Sequence, residues 1–158
     1  MRFGPLPVSV LRKLSDADGW MLLASQGQLD VLSEYQDESV EQLRGQAIRS
    51  LKMALSGHQI EALEQMKQHF SDREHIQSLV RFWFQFVRDI WFLKKGLTQD
   101  LIHTDLVDEL GSLESLSERK LIGVSQQLIE LNEGLYGNLD KRLSVENFFY
   151  NGLEVQSL

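Results

Sequence analysis

Hydrophobic and polar residues follow one another along most of this chain with the period of an α-helix. Proline occurs only at Pro5 and Pro7, so nothing obstructs helix formation over the rest of the sequence. Stretches of helical periodicity cover residues 39–55, 59–70, 72–96, 115–135 and 143–153. We find no hairpin signal and no internal repeat. The pattern therefore predicts an all-α protein, a helical bundle of five or six main helices with short connections.

Polar residues at the start of these stretches indicate where the helices begin. A serine followed three residues later by glutamine or glutamate is typical of a capping box. The chain has four such pairs, Ser39–Gln42, Ser56–Gln59, Ser71–Glu74 and Ser115–Glu118. At the end of the helix over 72–96, the positive charges of Lys94 and Lys95 complement the negative end of the helix dipole. Gly96 can adopt the left-handed conformation that ends a helix.

The helix over 72–96 is unusually rich in aromatic residues. Six of the chain's fourteen aromatics lie between Phe82 and Phe92, and apolar side chains surround nearly the whole helix. Such a helix must be covered on most sides, by its own domain or by a partner. Arg88 and Asp89 lie inside this stretch, where charges are costly unless they are paired. We favour pairing within the chain, with Asp89 bonded to a nearby helix end or to Arg142, over a bridge to a neighbouring subunit.

Composition narrows the classes of function. The chain has 158 residues, enough for one domain with a small appendage, and a formal net charge of −7. This acidity argues against direct grip on a nucleic-acid backbone. The absence of cysteine removes disulfides and thiolate catalysis, in agreement with a reducing cytoplasm. No signal peptide or membrane-spanning run is present, so we expect a cytoplasmic protein without membrane contact.

No motif in the chain indicates catalysis or a cofactor. Its four histidines lack the spacing of metal ligands, and no phosphate-binding loop or nucleophile elbow occurs. The acidic group Asp105, Asp108 and Glu109 is typical of a solvated helix start. We therefore expect no metal, no cofactor, no small-molecule ligand and no enzymatic activity. An enzyme that uses buried acids within the bundle is the least supported alternative.

Two segments resemble a known family. Residues 81–96, with their aromatic, Arg-Asp, apolar and Lys-Gly order, are similar to the delta-prime subunit of the bacterial DNA polymerase III clamp loader. Residues 135–149 resemble that family's closing pattern, in which Asn138, Arg142, Leu143 and Glu146 match in order and spacing. Residues 2–6 resemble the stretch that enters that family's small helical lid, and residues 23–29 resemble a segment of the lid itself.

The resemblance implies that the chain consists of two regions. Residues 1–35 would be a remnant of the lid of an AAA+ ATPase, and residues 36–158 a helical oligomerisation (collar) domain. The partners implied are tau/gamma-like and delta-like clamp-loader subunits, with DNA reached only through the complex. The chain would be a non-catalytic part of the machinery that loads the sliding clamp during DNA replication.

Among the aromatic residues of the long helix and the last helix, we choose as candidates for the subunit interface Phe82, Phe86, Phe92, Phe149 and Tyr150. Four polar residues are expected to fix helices internally, namely Arg88, Asp89, Asn138 and Arg142. The alternative function is a free-standing helical adaptor or regulator that binds one protein partner and is unrelated to replication.

Overall fold

The computed structural model describes Pro5, Pro7 and residues 19–69, 72–137 and 140–152. Over these ranges the secondary structure is helical and contains no strand, which confirms the all-α prediction. The helices are α1 (Gly19–Ala24), α2 (Leu29–Tyr35), α3 (Glu38–Leu55), α4 (Gln59–Met66), α5 (Arg73–Lys94), α6 (Val107–Gly111), α7 (Glu118–Tyr136) and α8 (Lys141–Asn147). Single helical turns lie at Lys67–His69, Thr98–Asp100 and Thr104–Leu106, and a π-helical turn at Phe148–Gly152.

Helix α5 is the centre of the bundle. It packs against α3 and α7, and the π-helical turn after α8 closes over its middle. Trp83 is fully buried there, and its indole N–H donates to the carbonyl oxygen of Ala47 at 3.0 Å. Its ring stacks on Phe148, with centroids 5.5 Å apart, and meets the edge of Phe149. Around Trp83, the cover that this aromatic helix needs is thus supplied by its own chain.

Helices α5 and α7 run antiparallel. The ammonium group of Lys94, at the end of α5, donates to the carbonyl oxygen of Leu116 just before α7 begins. Lys95 forms an ion pair with Glu118 in the first turn of α7. At the other end of α7 the chain turns back through α8, which delivers Phe148 to the middle of α5.

The helix starts lie close to the expected positions but use other caps. The N-cap residues Asp37, Asp72 and Ser117 accept hydrogen bonds from the backbone N–H of Ser39, His75 and Lys120. The capping boxes proposed at Ser39 and Ser115 are therefore wrong by two residues. Aspartate accepts these bonds as well as serine does, so composition alone does not decide between adjacent candidates. The stop at Gly96 is confirmed by its left-handed φ of 73°.

The first two helices share the hydrophobic core of the later ones. Trp20 and Leu22 of α1 and Leu32 and Tyr35 of α2 are buried in the same cluster as α3, α5 and α7. The boundary between lid and collar near residue 35 is untested by this packing and stays a prediction.

Candidate functional site

The structure places most of the chosen interface aromatics in the interior. Phe82, Phe86 and Phe149 are almost completely buried by the chain itself. Their side chains are therefore unavailable to a neighbouring subunit, and the expectation that they form an exposed interface is corrected. Phe82 and Phe86 face α1, α2 and the segment after α5, while Phe149 closes over Trp83.

Two of the chosen aromatics do reach the surface. Phe92 is half-buried, and the guanidinium of Arg88 lies over its ring at 4.1 Å from the centroid. Tyr150 is 41% exposed in the turn after α8. They lie on separate elements, so they are candidates for contact without forming a single site.

Asp89 fixes the segment that follows α5. Its carboxylate is completely buried and accepts from the backbone N–H of Ile102 at 3.0 Å and of His103 at 2.8 Å. Arg88 donates to the same carboxylate and to the carbonyl oxygen of Asp100, each at 2.9 Å. The two charges are thus paired within the chain, as expected, and they satisfy backbone groups that burial would otherwise leave unpaired.

Arg142 stands apart from this arrangement. Arg142 donates to Glu146 one turn later on α8 at 3.0 Å, an exposed pair, and does not bond Asp89. The suggestion that Asp89 pairs with Arg142 is therefore wrong, since the backbone of 102–103 already occupies the carboxylate. Asn138 lies outside the described residues.

A second buried charge, Arg44, was missed by the sequence analysis. Only 2% of this side chain is exposed, and its guanidinium lies over the Trp20 ring at 4.3 Å. It donates to Asp105 through both terminal nitrogens, in the bidentate geometry that arginine favours, and to Glu41 at 2.9 Å. The signal was present, since Arg44 occupies an apolar position of α3, between Val40 and Ala47.

His103 links Arg44 to α5. Its Nδ1 accepts from Nε of Arg44 at 3.1 Å, and its Nε2 lies 2.8 Å from Oε1 of Gln85. The amide oxygen can only accept, so Nε2 carries the proton and the ring is neutral. Burial, together with the nearby Arg44 charge, lowers the pKa of His103 to about 3, against the opposing effect of Asp105. A histidine held neutral and sealed from solvent fastens the fold and does not exchange protons near neutral pH.

The outward side of α5 carries a row of partly exposed aromatics. Phe84 and Trp91 are seven residues apart and so lie on one face of the helix, with Phe92 beside them. Arg88 lies between these rings on the same side. We call Phe84, Trp91 and Phe92 the aromatic row.

Helix α7 carries a second exposed row. Ile122, Ile129 and Tyr136 are spaced by seven residues and are 49%, 50% and 65% exposed. At 1.5 Å per residue this row is about 21 Å long. We call these three residues the α7 row. The helical periodicity over 115–135 does not by itself separate them from the core-facing residues of the helix.

A cleft of about 710 Å³ lies between α3, α4 and the start of α5. Four of its nine lining residues are glutamines, and Oε1 of one of them, Gln46, lies 3.2 Å from Nε2 of His75. Over the ranges described, no group of three or more histidine, aspartate or glutamate side chains is placed to hold a metal ion. None of the helices in those ranges combines the length and the apolar run that crossing a bilayer requires.

Comparison with protein-family models, with curated proteins and with solved structures finds no match to this chain.

Proposed function

We propose that this chain is a non-catalytic oligomerisation module of a delta-prime-like clamp-loader subunit. In this proposal it packs against tau/gamma-like and delta-like subunits while the sliding clamp is loaded, and DNA is reached only through the complex. The basis for the family is the resemblance of residues 81–96 and 135–149 to the delta-prime pattern.

The observation that carries an interaction role is the aromatic row. It lies on α5, within the segment that bears the resemblance, and it presents Phe84, Trp91 and Phe92 together with Arg88. Tryptophan and arginine are enriched among the residues that dominate binding energy at protein interfaces. Partly exposed rings on a rigid, centrally packed helix need little further ordering on binding, which favours affinity.

The buried polar network supports a scaffold role in the same proposal. Asp89 and Arg44 hold the segment 101–105 against α5 and α3 from opposite sides. An interaction module benefits from a surface helix whose position is fixed before a partner arrives.

Size exclusion with light scattering tests the proposal directly. The chain is mixed with purified tau/gamma-like and delta-like subunits of its source, and we expect a stable mixed complex. The double variant Phe84→Ser/Trp91→Ser should weaken that complex at least about tenfold, because it removes two candidate anchors. Circular dichroism establishes that this variant is still folded.

The matched control is Ile60→Ser on α4, which alters a 61% exposed apolar residue on another helix. It should leave the complex intact. A wild-type chain that elutes apart from those subunits at micromolar concentration would overturn the clamp-loader proposal and favour a free-standing adaptor. Equal loss in the control would overturn the role of the aromatic row.

A further inference from the structure

The α7 row lies near the centre of the solvent-facing side of its helix. Residues 119, 126 and 133 flank the row on one side, and all three are exposed. They are Arg119, Gln126 and Glu133, so this flank begins with a positive charge and ends with a negative one. No ion pair joins Arg119 or Glu133 to another described residue. They are 14 residues apart, roughly 21 Å along the helix, so they cannot pair with each other.

We infer that the α7 row is an interface between two copies of this chain, with the two α7 helices packed antiparallel about a twofold axis. In such a pair the same flank of each helix meets its counterpart. If the axis passes beside Gln126, residue i of one copy faces residue 252 − i of the other. Arg119 then lies opposite Glu133 of the second copy, and this ion pair occurs twice.

The apolar residues fit the same register. Position 122 of one copy comes level with position 130 of the other, so Ile122 lies one residue, about 1.5 Å along the axis, from Ile129 of the second copy. This offset is small enough for the two pairs of isoleucines to touch on either side of the axis. The amide groups of the two Gln126 side chains meet at the centre, where each can donate to and accept from the other. The surface is thus complementary to itself in charge, in hydrogen bonding and in the placement of its apolar side chains.

The parallel arrangement lacks these advantages. It would place the positive ends of the two helix dipoles side by side, and likewise their negative ends. Antiparallel packing brings opposite ends together, so the dipoles and the side-chain charges favour the same orientation. This inference concerns the chain alone and does not depend on the clamp-loader proposal, which rests on the aromatic row of α5.

Charge exchange tests the inference on the whole chain. Sedimentation or light scattering over a concentration series should give the wild-type chain a mass approaching twice 18.2 kDa. Arg119→Glu places two glutamates in each contact, and Glu133→Arg places two arginines there. Each variant alone should therefore remain at the mass of one chain under conditions where the wild type is dimeric.

An equimolar mixture of the two variants should restore the doubled mass. In the mixed dimer, the glutamate introduced at position 119 faces the arginine introduced at position 133, and the native Arg119 faces the native Glu133. A wild type that stays monomeric throughout the series overturns the inference, as do single variants that remain dimeric. A mixture that stays monomeric beside a dimeric wild type shows that positions 119 and 133 do not face each other across the contact, and it overturns the inference as well.

The apolar part of the contact has its own test. Ile129→Asp should give a folded monomer, whereas Ile60→Asp, which changes an exposed isoleucine on α4, should remain dimeric. The reverse result would move the contact away from α7 and contradict the inference.

Discussion

The two sides of α5 carry similar aromatic residues but differ in how far these are buried. On the inner side, Phe82 and Phe86 are almost completely buried against the His103 ring, whose centroid lies 4.7 Å from that of Phe86. On the outer side, Phe84 and Trp91 remain partly exposed although they belong to the same aromatic run. What separates them is the position of the covering elements, since α1, α2 and the segment 101–105 close over one side only. Aromatic content therefore indicates a helix that needs cover, but not which side its own chain will cover.

The difference in burial between the two sides of α5 can be tested by placing the same charge on each side. Phe86→Asp buries a carboxylate without a partner and removes a ring that fills the core. We expect a loss of at least about 3–5 kcal/mol in the free energy of unfolding, enough to abolish cooperative thermal unfolding followed by circular dichroism. Phe92→Asp, on the outer side and next to Arg88, should keep a cooperative transition. Similar melting curves for the two variants would mean that the two sides do not differ in burial.

A second comparison sets the buried arginine against an exposed one. Arg44→Ala leaves the buried Nδ1 of His103 without its donor and the Trp20 ring without its cation, while the half-exposed Asp105 can turn to solvent. We expect a loss of about 1–3 kcal/mol in urea unfolding. Arg142→Ala removes only an exposed pair with Glu146 on α8, and its effect should be about 0.5 kcal/mol or less. Equal effects would show that the network around Arg44 adds nothing to stability beyond an ordinary surface pair.

A third test uses pH, because His103, which packs against the inner side of α5, has a lowered pKa. In the unfolded chain this residue has its ordinary pKa of 6.5, while in the folded chain its pKa is about 3. Between these values the unfolded state binds the extra proton, so stability falls as pH decreases from 6.5 toward 3. From about pH 7.5 to about pH 5 this should cost roughly 2 kcal/mol.

Urea unfolding at both pH values measures this loss, and His103→Gln should remove most of it. Glutamine keeps a hydrogen-bonding group near Gln85 but does not titrate in this range. An unchanged pH dependence in that variant would assign the acid sensitivity to other groups.

Much of the fold follows from local sequence signals. The helical class, the central helix and its stop at Gly96 depend on residues close together in the chain, where spacing and glycine geometry decide the outcome. That Asp89 is paired within the chain was also predictable, because a buried charge needs a partner, although Arg142 was the wrong candidate. The caps at Asp37 and Asp72 were displaced from the expected serines only because several acceptors lie within one turn.

What could not be predicted depends on long-range packing. Arg44 meets His103 and Asp105 across 59 and 61 residues, and no local pattern encodes that encounter. The same holds for the inward orientation of Phe82 and Phe149, which depends on where α1 and the turn after α8 are placed. The α7 row became visible only once the core-facing leucines of α7 were separated from the exposed isoleucines.

The bond between Asp89 and the backbone of residues 102 and 103 also bears on the order of folding. It closes a loop of 13 residues, whereas the contact from Arg44 to Asp105 closes one of 61. The difference in loop-closure entropy is about 1.4 kcal/mol in favour of the shorter loop. As soon as α5 is helical, Asp89 can gather the following segment at low entropic cost. His103 is then already in position when α3 packs against α5, so the contacts of Arg44 with His103 and Asp105 form with a segment that is already ordered.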